Sequence, residues 1–181
     1  MQSFQEDELE QILSRPKQSV KYVYDYPMVA PTVDNVVFKR EYTWDAVQRI
    51  NKSKISVLLI QRGEDPYKYE WALPGGFVNA ETELIKDGAI RELHEETGLI
   101  VTDMEYLGYY DAINRDPRRR VISHVFMSYF LDNPIVVAND DAINFKWVDI
   151  SGSARTILAF DHKQIVIDAC KKLGLEYSND F

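Results

Sequence analysis

Three glutamates near the middle of the chain have a spacing that suits a metal ion. Glu92, Glu95 and Glu96 lie three and four residues apart, so they share one face of the helix that is predicted over residues 83–97. Like charges at this spacing destabilise a helix by about 0.2–0.5 kcal/mol per pair. A divalent cation would remove that repulsion, and carboxylate oxygens suit Mg²⁺, Mn²⁺ or Ca²⁺. A solvated acidic face is the alternative interpretation.

A glycine-rich turn precedes this helix. Pro74, Gly75 and Gly76 form it, and glycine lets the backbone approach a metal ion or a phosphate closely. A carbonyl of the turn can serve as a further oxygen ligand. Gly98 lies two residues after the last glutamate, a position typical of the glycine that ends a helix. Together with Arg91, these features favour a binding site over a solvated face.

The same segment resembles the signature of the Nudix hydrolase family. That signature is a glycine, five residues, a glutamate, seven residues, and then Arg-Glu-apolar-x-Glu-Glu-x-Gly-apolar. Residues 91–99, RELHEETGL, match its second half at every fixed position, and Glu83 lies seven residues before Arg91. Six residues rather than five separate Gly76 from Glu83, which we interpret as an insertion in the loop at 79–82.

The resemblance extends over about 150 residues. It includes IQRG at 60–63, NRDPRRRVIS at 114–123, NDDA at 139–142, Trp147 and LAFDH at 158–162. These segments are similar to one branch of the family. That branch contains ADP-ribose pyrophosphatases, the Nudix half of bifunctional NMN adenylyltransferases and the Nudix-related regulators of NAD metabolism.

The resemblance implies a metal-dependent hydrolase that cleaves a nucleoside diphosphate derivative at its pyrophosphate. The three glutamates of the helix would hold Mg²⁺, with Mn²⁺ as an alternative, helped by the carbonyl of Gly76. Arg91 and Glu83 would pair and fix the helix against its loop without touching the substrate. We therefore expect these residues to form the catalytic machinery, and ADP-ribose, cleaved to AMP and ribose 5-phosphate, to be the substrate.

Arginines are the expected ligands of the substrate phosphates. Arg115, Arg118, Arg119 and Arg120 form the only basic cluster in an acidic chain, and Arg62 belongs to the matching segment before the glycine turn. Guanidinium groups bind phosphates bidentately. We predict that Arg62, Arg115, Arg118 and Arg120 bind substrate, although one or two would suffice and the others would then be surface residues.

The general base is either a glutamate of the signature or an acidic residue in a later loop. Asp140 and Asp141 are the candidates in that loop, and an ordinary exposed acidic turn is the alternative interpretation of them.

Trp71, Phe77 and Tyr110 could stack on adenine, although each is more typical of a core residue.

The elements that must position these residues predict an α+β fold. Strands are expected at 33–38, 55–61, 100–110, 120–131 and 143–149, with a helical turn around 44–50. A last helix is expected from Asp161, whose spacing to Gln164 fits a capping box. The resemblance specifies the Nudix fold, an α/β/α sandwich with a mixed sheet between helices.

Two regions are predicted along the chain. Residues 1–31 form an N-terminal extension, and residues 32–181 form the Nudix hydrolase domain. Tyr22, Tyr24 and Tyr26 alternate with other residues in the extension, which indicates either a strand on the main domain or a dimer contact. The resemblance implies a homodimer.

Composition excludes several classes of function. The 181 residues carry a formal net charge of −8, and such a field repels nucleic acid and anionic membranes. No apolar run approaches the ~20 residues of a membrane span, and the acidic N-terminus is unlike a secretory signal. A single cysteine fits a reducing cytoplasm. We expect a cytoplasmic protein with a small-molecule partner.

Two other functions use the same motif. The first is a sensor that binds ADP-ribose or a related NAD metabolite without cleaving it. The regulators of this branch carry a C-terminal winged helix, and we expect no room for one after the last helix. The second is a Nudix hydrolase that acts on another nucleotide. Because all the carboxylates of the signature are present, the sequence favours the enzyme over the sensor.

Overall fold

The computed structural model describes residues 9–14, 23–139, 142–152 and 155–178. Within these residues the helical segments are α1 (residues 9–13), α2 (Ile85–Thr97) and α3 (His162–Lys172). The strands are β1 (Ala30–Asp45), β2 (Ile50–Arg62), β3 (Trp71–Ala72), β4 (Gly75–Phe77), β5 (Glu105–Tyr110), β6 (Val121–Phe130) and β7 (Ala142–Asp149).

The described strands form one mixed sheet. They lie in the order β3-β2-β1-β6-β5, with β4 also paired to β1 and β7 also paired to β2. β1 and β6 are parallel, and the remaining pairs are antiparallel. β1 is therefore central to the site, because it pairs directly with the strand that carries Gly75 and Gly76.

α2 covers one face of this sheet. Val33 and Val37 point to the same side of β1, since side chains alternate along a strand. They pack in one buried cluster with Ala89, Ile90 and Leu93 of α2. The apolar stripe of α2 therefore fixes the helix, and its opposite side is left to carry the glutamates.

α3 covers the other face. Val36 and Phe38 of β1 pack in a second cluster with Ile165, Val166 and Ala169 of α3. The sheet thus lies between α2 and α3, which confirms the predicted α+β fold with its mixed sheet between helices.

The helical turn predicted around residues 44–50 is wrong. β1 continues to Asp45, the chain turns over residues 46–49, and β2 begins at Ile50. The Asp45 carboxylate accepts the N–H groups of Val47 and Gln48, both at 2.9 Å. These bonds support the turn, and β1 pairs antiparallel with β2 up to Asp45 and Ile50, so this segment is the tip of a long hairpin.

The predicted strand in the N-terminal extension is also wrong for the described residues. Residues 23–29 form no strand, and Tyr24 and Tyr26 are exposed, while Tyr22 lies outside the described residues. Leu9 and Ile12 of α1 are instead buried in the cluster beneath α2. The boundary between extension and domain stays a prediction. No helix in the described parts of the chain is long and apolar enough to cross a membrane.

We expect Leu93→Ala to destabilise the protein strongly. Leu93 is 0% exposed in the cluster that holds α2 on the sheet. Removing a buried leucine side chain leaves a cavity and lowers the free energy of unfolding by about 2–5 kcal/mol, which urea denaturation would measure. Leu131→Ala is the control, because Leu131 is 72% exposed. Equal stabilities of the two variants would contradict the packing of α2 described above.

Candidate active site

The glutamates of α2 line a cleft of about 290 Å³. The wall opposite the helix includes Gly75 and Gly76 of β4, and three arginines also belong to the lining. We call this space the glutamate cleft and define it by Arg62, Gly75, Gly76, Arg91, Glu92, Glu95, Glu96 and Arg118. The structure therefore brings together the predicted metal ligands and two of the predicted phosphate ligands.

Arg91 is the centre of the hydrogen bonds in this cleft. Its Nε and Nη2 donate to the two carboxylate oxygens of Glu83 at 2.9 and 2.7 Å. Its Nη1 donates to Glu92 and to Glu95, both at 2.8 Å, and Nη2 donates also to the carbonyl of Phe77 at 3.1 Å. A guanidinium has five N–H donors, so every donor of Arg91 has a partner.

Glu83 holds Arg91 in place from the loop before α2. Its side chain is only 3% exposed, and Oε1 also accepts the N–H of Asn79 at 2.7 Å. Burial acts to raise the pKa of this carboxyl, but the hydrogen bonds from Arg91 and Asn79 outweigh it, so the pKa lies below its usual value. The six-residue loop after Gly76 closes on this glutamate, so the extra residue leaves the pair with Arg91 intact.

Glu92 has the opposite electrostatic character. Burial raises the pKa of its carboxyl, Glu95 and Glu83 raise it further, and Arg91 offsets only part of the effect. Gly76 makes room for this group, because a Cβ at position 76 would lie 2.7 Å from the Glu92 carboxylate. Glu92 is therefore a partly buried carboxylate whose negative charge is destabilised by its surroundings.

Glu96 connects α2 to the glycine turn. It is buried, and its Oε2 accepts the N–H of Gly75 at 2.8 Å. Gly75 itself lies against β1, since a Cβ there would come within 2.1 Å of the carbonyl oxygen of Val33. Asn35 of β1 adds a second connection that no sequence pattern predicts, donating from its amide to the carbonyls of Pro74 and Ala89 at 3.4 and 3.1 Å.

The carboxylates of the cleft are directed towards Arg91 and the turn rather than towards one point. Accordingly, among the described residues no group of three or more histidine, cysteine, aspartate or glutamate side chains is arranged to hold a metal ion. The donors themselves are suitable, since three carboxylates and a backbone turn without Cβ atoms line one small space.

The arginines have different partners. Arg118 pairs with Asp116 at 2.7 Å, lies over the ring of Phe77 at 5.0 Å and keeps a partly exposed side chain in the cleft. Arg62 also lines the cleft, but its Nε donates to the carbonyl of Pro66 at 2.8 Å. Arg62 therefore supports the loop that follows β2 as well as the wall of the cleft.

Arg115 belongs to a buried polar cluster around Asp34. Its Nη2 donates to Asp34 at 3.3 Å, and Asp34 also accepts the hydroxyl of Ser123 at 2.5 Å and faces Nε2 of His162 at 3.3 Å. Burial acts to raise the pKa of Asp34, but His162, Arg115 and Ser123 together lower it to about 2. A lone aspartate in the apolar run of β1 was the available sequence signal for this cluster.

The capping box predicted at Asp161 is wrong. It is the N-cap residue of α3, yet its side chain makes no capping hydrogen bond. Its two oxygens instead accept Nε and Nη2 of Arg115 at 3.0 and 2.7 Å. A bidentate pair with a buried guanidinium is stronger than a bond to a backbone N–H, so Arg115 takes the carboxylate.

Three other candidates lie apart from the cleft or outside the described residues. Arg120 is not among the residues lining the glutamate cleft; its Nη1 donates to the carbonyls of Asp111 and Ala112. Asp140 and Asp141 lie outside the described residues. Their assignment as a general base stays a prediction.

Of the three aromatic candidates for stacking, Phe77 alone lines the glutamate cleft. Trp71 packs against the cluster beneath α3, and the hydroxyl of Tyr110 donates to Asp168 at 3.1 Å. The structure reveals two other rings near the site, Tyr67 and Phe160, whose centroids lie 4.7 Å apart. Their place beside the site could not be predicted, because 93 positions of sequence separate them.

Comparison with known proteins agrees with this geometry. A model of the NUDIX domain matches residues 39–168. The chain is 40% identical over 123 residues to the ADP-ribose pyrophosphatase of Methanocaldococcus jannaschii. The alignment covers 68% of this chain and 70% of that protein. The chain is 29% identical over 151 residues to the ADPR responsive transcriptional repressor NtrR of Acinetobacter baylyi, covering 83% of this chain and 56% of the repressor.

A solved structure has the same fold. It is a bifunctional NMN adenylyltransferase/ADP ribose pyrophosphatase from Francisella tularensis, complexed with AMP and a Mn ion, with a TM-score of 0.63 and 27% identity. The alignment covers 94% of this chain and 47% of that protein. The domain match spans well over half of the sequence, and it includes β2, the glycine turn, α2 and the start of α3. The chain therefore belongs to the Nudix family of pyrophosphohydrolases.

Proposed function

We propose that this protein hydrolyses ADP-ribose to AMP and ribose 5-phosphate in a reaction that depends on Mg²⁺, with Mn²⁺ as an alternative. The observation that carries the proposal is the glutamate cleft, where three carboxylates of one helix face a turn of two glycines. The choice of substrate is supported by the 40% identity to an ADP-ribose pyrophosphatase. Homodimerisation and a cytoplasmic location stay predictions from the sequence.

A divalent cation fits the chemistry of this cleft. In the group around Arg91, the three carboxylates of Glu83, Glu92 and Glu95 share one guanidinium, and the partly buried Glu92 has its charge disfavoured. Glu92, Glu95, Glu96 and the carbonyl of Gly76 would hold the ion, whose oxygen ligands are of the type that Mg²⁺ prefers. The bound ion would neutralise phosphate charge and lower the pKa of a water molecule.

The arginines of the site suit the phosphates of the substrate. Among the described residues the Nη1 group of Arg115 makes no hydrogen bond, whereas its Nε and Nη2 are fixed by Asp161 and Asp34. Arg118 keeps a side chain that is 40% exposed at the edge of the cleft. These two arginines are therefore oriented by carboxylates and still able to donate to a diphosphate.

The other residues around Arg91 have positioning roles. Arg91 has no donor left for substrate, and Glu83 is almost completely buried beneath it. Together they orient the carboxylates of α2 before any ligand arrives, which is the preorganisation that catalytic electrostatics require.

A sensor is the second candidate function. It is favoured by the 29% identity to a repressor that responds to ADPR, although the chain spans only 56% of that repressor. A sensor and an enzyme would both bind ADP-ribose through the same cleft. They differ in whether AMP appears.

Incubation of the purified protein with ADP-ribose and Mg²⁺ tests the proposal directly. We expect AMP to form, to depend on the metal and to be suppressed by EDTA, with chromatography as the measurement. A panel of other nucleoside diphosphate derivatives is the control for substrate. Faster cleavage of another member would identify that compound as the substrate in place of ADP-ribose. Binding of ADP-ribose with no cleavage of any member would favour the sensor.

Glu96→Gln is expected to abolish turnover without unfolding the protein. The glutamine oxygen can still accept the N–H of Gly75, but the negative charge offered to a metal ion is lost. We expect kcat to fall about 100-fold or more, with an unchanged Tm. Glu81→Gln is the matched control, because Glu81 is exposed in the loop before α2. Wild-type activity in Glu96→Gln would refute the assignment of the metal ligands.

Glu83→Ala is expected to lower stability and, indirectly, metal affinity. The change leaves two N–H donors of the buried Arg91 without their acceptor, so the free energy of unfolding should fall by about 3 kcal/mol. Thermal unfolding and Mn²⁺ titration calorimetry measure the two effects, and Glu81→Ala is the control. If both quantities equalled those of the control, Glu83 would not position the site.

A further inference from the structure

The glutamate cleft continues into two further spaces. A narrow passage of about 40 Å³ shares Arg62, Phe77 and Arg118 with the cleft. The passage shares Arg115 and Phe160 with a cavity of about 490 Å³. We call this last space the aromatic cavity; its lining is Tyr67, Ala112, Ile113, Asn114, Arg115, Phe160 and Asp161. Carboxylates, guanidinium groups and aromatic rings therefore follow one another along a single path.

The order of the chemical groups along this path matches the order of the groups in a nucleoside diphosphate with its metal ion. The carboxylates suit a metal ion, and the arginines suit the phosphates next to it. The aromatic cavity lies beyond the arginines, where the group attached to the diphosphate must extend. Its walls are apolar apart from Asn114, Arg115 and Asp161. A flat, mostly apolar ring with a few polar edge atoms fits such walls better than a second phosphate or a sugar does.

We propose that Tyr67 is the stacking surface for the nucleobase of the substrate. Phe160 already contacts the Arg62 guanidinium at 5.1 Å, the His162 ring at 5.2 Å and Tyr67 at 4.7 Å. Tyr67 keeps 37% of its surface exposed. Phe160 therefore supports the platform, and Tyr67 presents it to the ligand.

The backbone holds both rings in place before ligand binds. Tyr67 and Phe160 have φ angles of 63° and 54°, in the left-handed region that bulky residues rarely adopt. Such residues concentrate at ligand sites, where the surrounding structure imposes the conformation. Here the Tyr67 carbonyl accepts the N–H of Glu70 at 3.0 Å, and Arg62 donates to the neighbouring carbonyl of Pro66. Tyr67 is thus held by hydrogen bonds within its own loop.

The assignment of Tyr67 rests on the proposed function only because that function identifies the ligand as a nucleotide. The test distinguishes failure of this assignment from failure of the proposed function. AMP and ribose 5-phosphate both carry one phosphate, but AMP alone carries a base. We would measure the binding of each to the wild-type protein and to Tyr67→Leu by calorimetry in the presence of Mg²⁺. Base stacking on an aromatic residue predicts about tenfold weaker binding of AMP to Tyr67→Leu and unchanged binding of ribose 5-phosphate.

Two further variants control for the fold and for the loop. Tyr69→Leu is a matched control, because Tyr69 lies in the same loop, also has a positive φ of 69°, and is 61% exposed outside the aromatic cavity. Tyr67→Phe keeps the ring and should bind AMP like the wild type. We also expect Tyr67→Leu to raise the KM for ADP-ribose more than it lowers kcat, with a Tm equal to that of Tyr69→Leu.

The outcomes are distinct. If AMP binds no better than ribose 5-phosphate to the wild type, or equally well to the wild type and Tyr67→Leu, the stacking role is refuted, even when ADP-ribose is hydrolysed. If Tyr67→Phe binds AMP as weakly as Tyr67→Leu, the hydroxyl rather than the ring acts, and the role is likewise refuted. If no substrate is cleaved but AMP binding depends on the ring of Tyr67, the proposed hydrolysis fails and the base platform stands.

Discussion

The guanidinium of Arg91 is the group on which the candidate active site depends. All five of its N–H donors are satisfied within the protein, two by Glu83 and one each by Glu92, Glu95 and the carbonyl of Phe77. Charge-assisted bonds of this kind are stronger than neutral ones and fix direction as well as distance. One side chain therefore joins the loop before α2, the glycine-bearing strand β4 and two successive turns of α2. Arg91 offsets part of the repulsion among the carboxylates, so the helix keeps its acidic face.

The glycine turn is the second constraint, because there is no room for a side chain at either of its two glycines. A Cβ at Gly75 would meet the carbonyl of Val33, and a Cβ at Gly76 would meet the carboxylate of Glu92. Asn35 then ties the turn to β1 and α2 through two carbonyls. The central strand, the turn and the helix consequently approach one another closely enough for backbone and carboxylate oxygens to share one cleft.

The part of this site that the sequence predicts is the local part. The spacing of Glu92, Glu95 and Glu96 fixes their common face once α2 forms, and Gly98 marks the end of that helix. Pairing over long distances is different, since 81 positions separate Asp34 from Arg115 and no local pattern relates them. The predicted capping box failed for the same reason, because a partner distant in sequence took the carboxylate.

The hairpin at residues 44–50 shows a second limit. Its composition is compatible with a helical turn, but the antiparallel pairing of β1 with β2 makes it a chain reversal, and the Asp45 carboxylate accepts backbone N–H groups within it. The left-handed backbone of Tyr67 and Phe160 is equally hidden, since neither residue type signals it. Local propensity therefore locates elements well and locates the walls of a cavity poorly, because those walls are built from separate loops.

The arginines make the same point in terms of charge. The sequence presents Arg115, Arg118 and Arg120 as one basic cluster, yet the structure gives them different partners. Arg120 donates to the carbonyls of its own loop, while Arg115 and Arg118 are held by carboxylates beside the proposed path of the substrate. A cationic group that is oriented by one carboxylate and still has N–H donors available can bind phosphate, whereas a saturated one such as Arg91 can only position its neighbours. The place of each arginine and the donors left after folding, rather than the number of positive charges, therefore decide which arginines can bind a phosphate.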